Sequence, residues 1–206
     1  MLRLSEQPQQ RPALRVGRHL SRLILTGFMG AGKSTVGALV AESLGWQFLD
    51  VDQVIEATCG QTVSEIFRAH GEPYFRAQER ESIERMLHSQ RVVIALGGGA
   101  IEDPITLSSV LNSPETCLVF LDAPMPELLG RLRGSSPTRP LLLKPDDLAA
   151  RHERRLPHYR AAHLTVVTTG LTPREVASQL LERAEEEWLV EERPKKTNAK
   201  PDAKRG

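Results

Sequence analysis

The run Gly27-Phe28-Met29-Gly30-Ala31-Gly32-Lys33-Ser34 has the spacing G-x-x-x-x-G-K-[ST] and leads into a helical pattern through Val40 and Leu44. Its residue types suit phosphate chemistry. Glycines let a backbone turn its N–H groups inward around phosphate oxygens, and a helix starting there adds positive potential. The Lys33 ammonium can reach the β and γ phosphates of a nucleoside triphosphate, and the Ser34 hydroxyl can serve Mg2+. Kinases, GTPases and motor ATPases all use such a loop, so other residues must decide between them. A GTPase would be expected to carry an Asn-Lys-x-Asp segment to read its base, and the chain has none.

Acceptor chemistry has several candidates. Phe48-Leu49-Asp50-Val51-Asp52 ends an apolar run with carboxylates at i and i+2, on one side if the segment is extended. One carboxylate would serve Mg2+ and the other a hydroxyl; the plainer reading is an Asx-turn in a solvated loop. In Gly71-Glu72-Pro73-Tyr74-Phe75-Arg76-Ala77-Gln78-Glu79, Arg76 and Glu79 are spaced to meet on one helix face, as a functional pair or as an exposed ion pair. Gly97-Gly98-Gly99 offers bare backbone N–H groups to an anionic oxygen at a strand end. Val119-Phe120-Leu121-Asp122 imitates a Walker B strand, although Asp122 before Ala123-Pro124 reads equally as a helix cap. Arginines crowd the region from Arg131 to Arg160, through Arg133, Arg139, Arg151, Arg154 and Arg155. Most would face solvent, but the basic, Gly- and Ser-containing stretch from Arg133 to Pro140 suits a lid that brings an arginine to a transferring phosphoryl group.

Positioning these groups falls to five short apolar runs, Leu23 to Thr26, Gln47 to Val51, Val92 to Leu96, Cys117 to Leu121 and Leu164 to Val167, set between helical patterns. Apolar residues at consecutive positions need cover on both faces. The expected fold is therefore α/β, a doubly wound five-stranded parallel sheet flanked by helices with a lid insertion. Ligands of such sheets sit beyond the carboxyl ends of the strands, where the acidic pair and the glycine run fall. The last helix is announced by Thr172 as N-cap, Pro173 and Glu175, with Val176, Leu180, Ala184 and Trp188 at helical spacing.

The expected organisation is a disordered basic arm over 1–22, one folded domain over 23–190 with the lid at about 133–144, and a disordered basic tail over 191–206. Residues 1–22 hold five Arg and one Glu, and 191–206 hold six basic and three acidic residues. Removing both from the totals of 27 basic and 26 acidic residues leaves 16 against 22, so the folded centre is acidic. That balance argues against a nucleic-acid groove. Cys59 and Cys117 form no metal or redox motif, and no apolar run is long enough to cross a bilayer. These features point to the cytoplasm; the Arg-rich start also has a faint likeness to a targeting leader.

Taken in order from Leu23 to Ala184, the segments GFMGAGKST, FLDVD, EIFRAHGEPYFRAQE, ALGGGA, TRPLL and RLPHY resemble shikimate kinase. The resemblance implies transfer of the γ-phosphate of MgATP to the 3-hydroxyl of shikimate in aromatic amino-acid synthesis. It implies ATP binding by Gly30, Ala31, Gly32, Lys33, Ser34 and Thr35, with Arg139 as the lid arginine. It further implies Ser34 and Asp50 at Mg2+, the latter through water, and Asp52 at the substrate hydroxyls. Arg76 and Arg155, helped by Gly98 and Gly99, would hold the substrate carboxylate. The glycine strand replaces a Walker B carboxylate in this family, which demotes Asp122. Thr169 to Pro173 lacks the basic residue that some relatives place near adenine, so no adenine contact is assigned. Relatives suggest a monomer. The alternatives are a gluconate or nucleoside monophosphate kinase, whose acceptor signatures are absent, and a noncatalytic nucleotide-binding protein. Lys33, Asp52, Arg76, Arg139 and Arg155, all present, argue against the latter.

Overall fold

Strands buried on both faces form the centre of the molecule. In the computed structural model, which describes residues 19–133 and 145–190, the elements are β1 (His19–Leu20), β2 (Arg22–Thr26), α1 (Lys33–Leu44), β3 (Gln47–Asp50), α2 (Val51–Cys59), α3 (Val63–Met86), β4 (Val92–Ala95), a 3-10 turn (Ala100–Glu102), α4 (Pro104–Asn112), β5 (Thr116–Asp122), α5 (Met125–Arg133), α6 (Pro145–Tyr159), β6 (Leu164–Val167), α7 (Pro173–Glu187) and β7 (Leu189–Val190). The main sheet has five strands in the order β3-β4-β2-β5-β6. All its pairings are parallel. Every residue of β2 and β4 is buried, which is why their apolar positions run consecutively instead of alternating. Arg139 and almost all of the expected lid, with the expected tail from 191 onward, lie outside the described residues.

Register brings the functional segments to one edge. Leu25 and Asp50 both stand opposite Ala95, and Thr26 stands opposite Phe120. The loop after β2, the acid ending β3 and the glycines after β4 therefore leave the sheet side by side at its carboxyl edge.

The structure corrects three local expectations. Asp52 is not extended: β3 stops at Asp50, which takes φ −103° and ψ 122° as the N-cap of α2 and accepts the Asp52 N–H at 3.1 Å. An aspartate ahead of Val51 and Ile55 at helical spacing favours a capped helix start over a longer strand, and both apolar residues are buried. Trp188 is not part of the last helix, whose C-cap it forms at φ −138° before β7 begins. β7 pairs in parallel with β1, His19 opposite Leu189 and Leu20 opposite Val190, so strand structure starts inside the stretch read as an arm. Leu20 is fully buried there.

α3 is broken at Gly71, where φ is 80° and ψ is 172°. Glycine takes this left-handed backbone without a Cβ penalty, and Pro73 then restarts the helix without an N–H to satisfy. The new direction sinks Phe75 and Glu79 into the protein while Tyr74 stays exposed. Among the described residues no helix is long and apolar enough to cross a membrane.

At α7 the Thr172 hydroxyl accepts the Glu175 N–H at 3.3 Å and the Glu175 carboxylate accepts the Thr172 N–H at 2.7 Å, the reciprocal box expected of this pair. Replacing Thr172 with alanine is expected to cost about 1 kcal/mol of folding stability. Urea unfolding should show this as a lower midpoint at unchanged slope.

Candidate active site

Gly27 leaves β2 at φ 142°, and a Cβ there would lie 2.7 Å from the Leu121 carbonyl oxygen, so the loop begins packed against the backbone of β5. At its other end Gly32 (φ 93°) is the N-cap of α1, where no side chain caps the helix. The first N–H groups of α1 therefore face the loop without a side-chain acceptor, which is the donor set an anion needs. Lys33 reaches back over the loop, its Nζ donating to the carbonyls of Gly27 at 2.8 Å and Phe28 at 3.1 Å. Ala31 is buried under the loop and Thr35 is exposed beside it. The Ser34 hydroxyl donates to Asp50 Oδ2 at 2.6 Å, setting two hard oxygen donors together at the phosphate end.

The glycines after β4 form the floor of the other half. A Cβ on Gly99 would stand 2.7 Å from Nη2 of Arg76 and 2.8 Å from Nη2 of Arg155, so two guanidiniums converge over one residue. A Cβ on Gly97 would stand 2.4 Å from Glu79 Oε1 and 3.2 Å from Asp52 Oδ1. A Cβ on Gly98, between them, would stand 3.5 Å from Arg155 Nη1, 3.7 Å from the Gly27 carbonyl oxygen and 3.8 Å from the Met29 nitrogen. One three-residue run thus joins the phosphate loop to a pair of cations and a carboxylate.

Each cation is braced. Arg76 donates through Nη1 to Glu79 Oε2 at 2.6 Å and through Nη2 to Glu72 Oε1 at 3.0 Å. Burial pushes the Glu79 carboxyl up; Arg76 pulls it back and Asp52 adds to the rise, leaving it above the usual carboxylate range. Burial alone would lower the Arg76 guanidinium, but Glu79 and Glu72 hold it above its ordinary value, firmly charged. Arg155 donates through Nε to Glu102 Oε2 at 2.8 Å. The Tyr159 hydroxyl donates to the Gly98 carbonyl at 2.5 Å, and burial pushes that phenol to about 12, keeping it a donor that pins the glycine run.

The shikimate kinase family model matches residues 29–185. The chain belongs to the shikimate kinase family. It is accordingly an ATP-dependent kinase with the P-loop kinase fold and the shikimate kinase activity of that family. The shikimate kinase of Persephonella marina is 37% identical over 165 residues, covering 80% of this chain and 99% of the relative. That of Moorella thermoacetica is 38% identical over 169 residues, covering 81% and 95%. Among solved structures, shikimate kinase from Acinetobacter baumannii in complex with shikimate superposes with a TM-score of 0.76 at 34% identity, covering 81% of this chain and 94% of that one.

Of the residues that the resemblance to shikimate kinases singled out, Asp52, Arg76, Gly98, Gly99 and Arg155 come together at the glycine floor. Lys33, Ser34 and Asp50 meet along the phosphate loop. Arg139 is outside the described residues. Sequence reasoning missed Glu102, whose partner is 53 positions away. It also missed Tyr159, whose place one turn after Arg155 was a usable signal, and Arg131. Arg131 donates to Glu127 at 2.5 Å and to the Thr168 hydroxyl and carbonyl at 3.1 and 3.0 Å, with a longer contact to the Gly30 carbonyl at 3.4 Å. It ties the phosphate loop to the turn after β6.

Proposed function

We propose that the two halves of this site carry out the transfer of the γ-phosphoryl group of MgATP to the 3-hydroxyl of shikimate. The observation that carries the assignment is the pair of guanidiniums over Gly99 with the Asp52 carboxylate across the same floor. A carboxylated ring with hydroxyls at its far end matches that polarity: Arg76 and Arg155 take the carboxylate by charge-assisted hydrogen bonds, with the backbone of Gly98 and Gly99 beneath it. Asp52 then orients the attacking hydroxyl and accepts its proton. On the nucleotide side the loop from Gly30 to Thr35 holds the phosphates, with Lys33 turned from the loop carbonyls onto the β and γ oxygens and Arg139 assigned to ATP as a further cation.

The donor set fits Mg2+, since a hydroxyl and a carboxylate of hard oxygen character stand together at Ser34 and Asp50; Ser34 would hold the ion directly and Asp50 through water, with the triphosphate beside them. When bound, Mg2+ offsets the charge of the β and γ oxygens. Both halves of the site come from one chain, which supports a monomeric enzyme. Cys59 and Cys117 are both free thiols, which supports a reducing cytoplasm as its place of action.

The test is steady-state kinetics with shikimate and with an analogue lacking the carboxylate. Arg155→Ala should raise KM for shikimate by about tenfold to a hundredfold, the range for a lost hydrogen bond to a charged group, with kcat and KM for ATP little changed. Arg76→Ala should do the same and also lower Tm, because Glu79, with only 3% of its side chain exposed, loses its guanidinium. The analogue should bind wild type poorly and lose little more in either variant. Equal wild-type affinity for shikimate and the analogue would refute the carboxylate clamp.

A further inference from the structure

The geometry points to Glu102 as a positioning residue for the phosphoryl acceptor: it holds the Arg155 guanidinium so that its two terminal nitrogens face the substrate carboxylate. This inference rests on the reading that Arg155 binds that carboxylate. Glu102 closes the 3-10 turn that follows the glycine run, so its backbone is set by the same segment that floors the site. Its Oε2 accepts from Arg155 Nε at 2.8 Å. A guanidinium held through Nε is fixed in plane and in rotation about its stem, and the opposite edge, Nη1 and Nη2, stays available as a fork. That edge is the one facing the glycines: a Cβ on Gly98 would lie 3.5 Å from Nη1 and one on Gly99 2.8 Å from Nη2.

A carboxylate so near an anion site would repel the substrate unless its own charge were offset. Arg154 does this from the outer side, donating through Nε to Glu102 Oε1 at 3.1 Å. The three side chains form a row, Arg154, Glu102, Arg155, with net charge +1 and only its inner member facing the floor. Exposure decides which pair matters. The Arg154 side chain is 66% exposed, where an ion pair contributes little, whereas that of Arg155 is 6% exposed and has few alternative conformations to adopt once Glu102 fixes it. Burial pushes the Glu102 carboxyl up, but the two arginines outweigh it and leave it below the usual range, so it stays ionised at neutral pH. Arg76 is held in the same way at its Nε by Glu72, at 3.2 Å, with Glu79 accepting from Nη1 on its buried side, so each cation of the clamp has a carboxylate on its Nε.

The experiment is a double-mutant cycle of Glu102→Ala with Arg155→Ala, with Glu102→Gln as an isosteric variant that keeps one acceptor oxygen and protects the test against misfolding. Glu102→Ala is expected to raise KM for shikimate about tenfold, with kcat within about threefold and KM for ATP within about twofold of wild type. Glu102→Gln should fall between Glu102→Ala and wild type. In the Arg155→Ala background the loss of Glu102 should change KM by less than about twofold, because its effect passes through Arg155. The proposal is overturned if Arg155→Ala raises KM while Glu102→Ala does not, if Glu102→Ala acts equally in both backgrounds, or if kcat falls while KM stays. An Arg155→Ala enzyme with wild-type KM would instead sink the carboxylate clamp itself, and this inference with it.

Discussion

Replacing Lys33 with alanine should lower kcat/KM for ATP by about a hundredfold to a thousandfold, roughly 2.7 to 4 kcal/mol of transition-state stabilisation, the scale of one preorganised donor aimed at developing charge. Its ammonium is already held in the loop by the carbonyls of Gly27 and Phe28 at 2.8 and 3.1 Å, so little reorganisation separates it from phosphate oxygens entering the same concavity. Both kcat and KM for ATP should suffer, because the charge acts on the bound triphosphate and more strongly as the γ-phosphoryl group departs. Arginine should not rescue the variant: its planar fork cannot replace a compact ammonium between two loop carbonyls. Shikimate binding in the absence of nucleotide, followed by titration calorimetry, should be unchanged. A loss of less than about tenfold would mean that the loop binds phosphate through backbone N–H groups alone.

The five strands of the main sheet were legible because each is a short, mainly apolar run between helical patterns, and the structure moves their ends by no more than a residue or so, as from Leu23 to Arg22 and from Cys117 to Thr116. Leu164–Val167 agrees at both ends. The phosphate loop was legible because its chemistry is local: Gly27, Gly30 and Gly32 all take positive φ, the conformation their spacing implies. Legibility failed where a long-range or very short feature decides the structure. β1 and β7 pair over two residues each, too few for any period to register. The burial of Glu79 follows from the break at Gly71, which turns an outwardly polar helix onto the glycine floor. Glu102 follows an ordinary Ala-Ile after the glycines and acquires meaning only when α6 is laid over them. Asp52 was read as a site residue on the wrong element: it lies near the floor from a helix start rather than from a strand.

That placement makes Asp52→Asn the sharpest test of the acceptor chemistry. The Asp52 backbone N–H is fixed by the Asp50 carboxylate at 3.1 Å, and the same carboxylate takes the Ser34 hydroxyl at 2.6 Å, so the acceptor residue and the proposed metal donors share one helix cap. Asparagine fits that position and keeps one oxygen to hold a hydroxyl, but it has neither the charge nor the basicity to take a proton. The expected result is a fall in kcat of about a hundredfold, at the low end for general-base catalysis because a loose transition state asks less of its base. KM for shikimate should stay within about threefold and KM for ATP should not move. A thermal melt separates such a loss from misfolding. Asp52 raises the Glu79 carboxyl further above its ordinary value, and a raised carboxyl contributes stability at low pH that is lost as pH rises through its folded-state value. Removing the neighbouring negative charge lowers that value again, so at neutral pH the variant should melt no earlier than wild type. If kcat holds and KM for shikimate rises instead, Asp52 only binds the hydroxyl, and the proton leaves with solvent or on the phosphate itself.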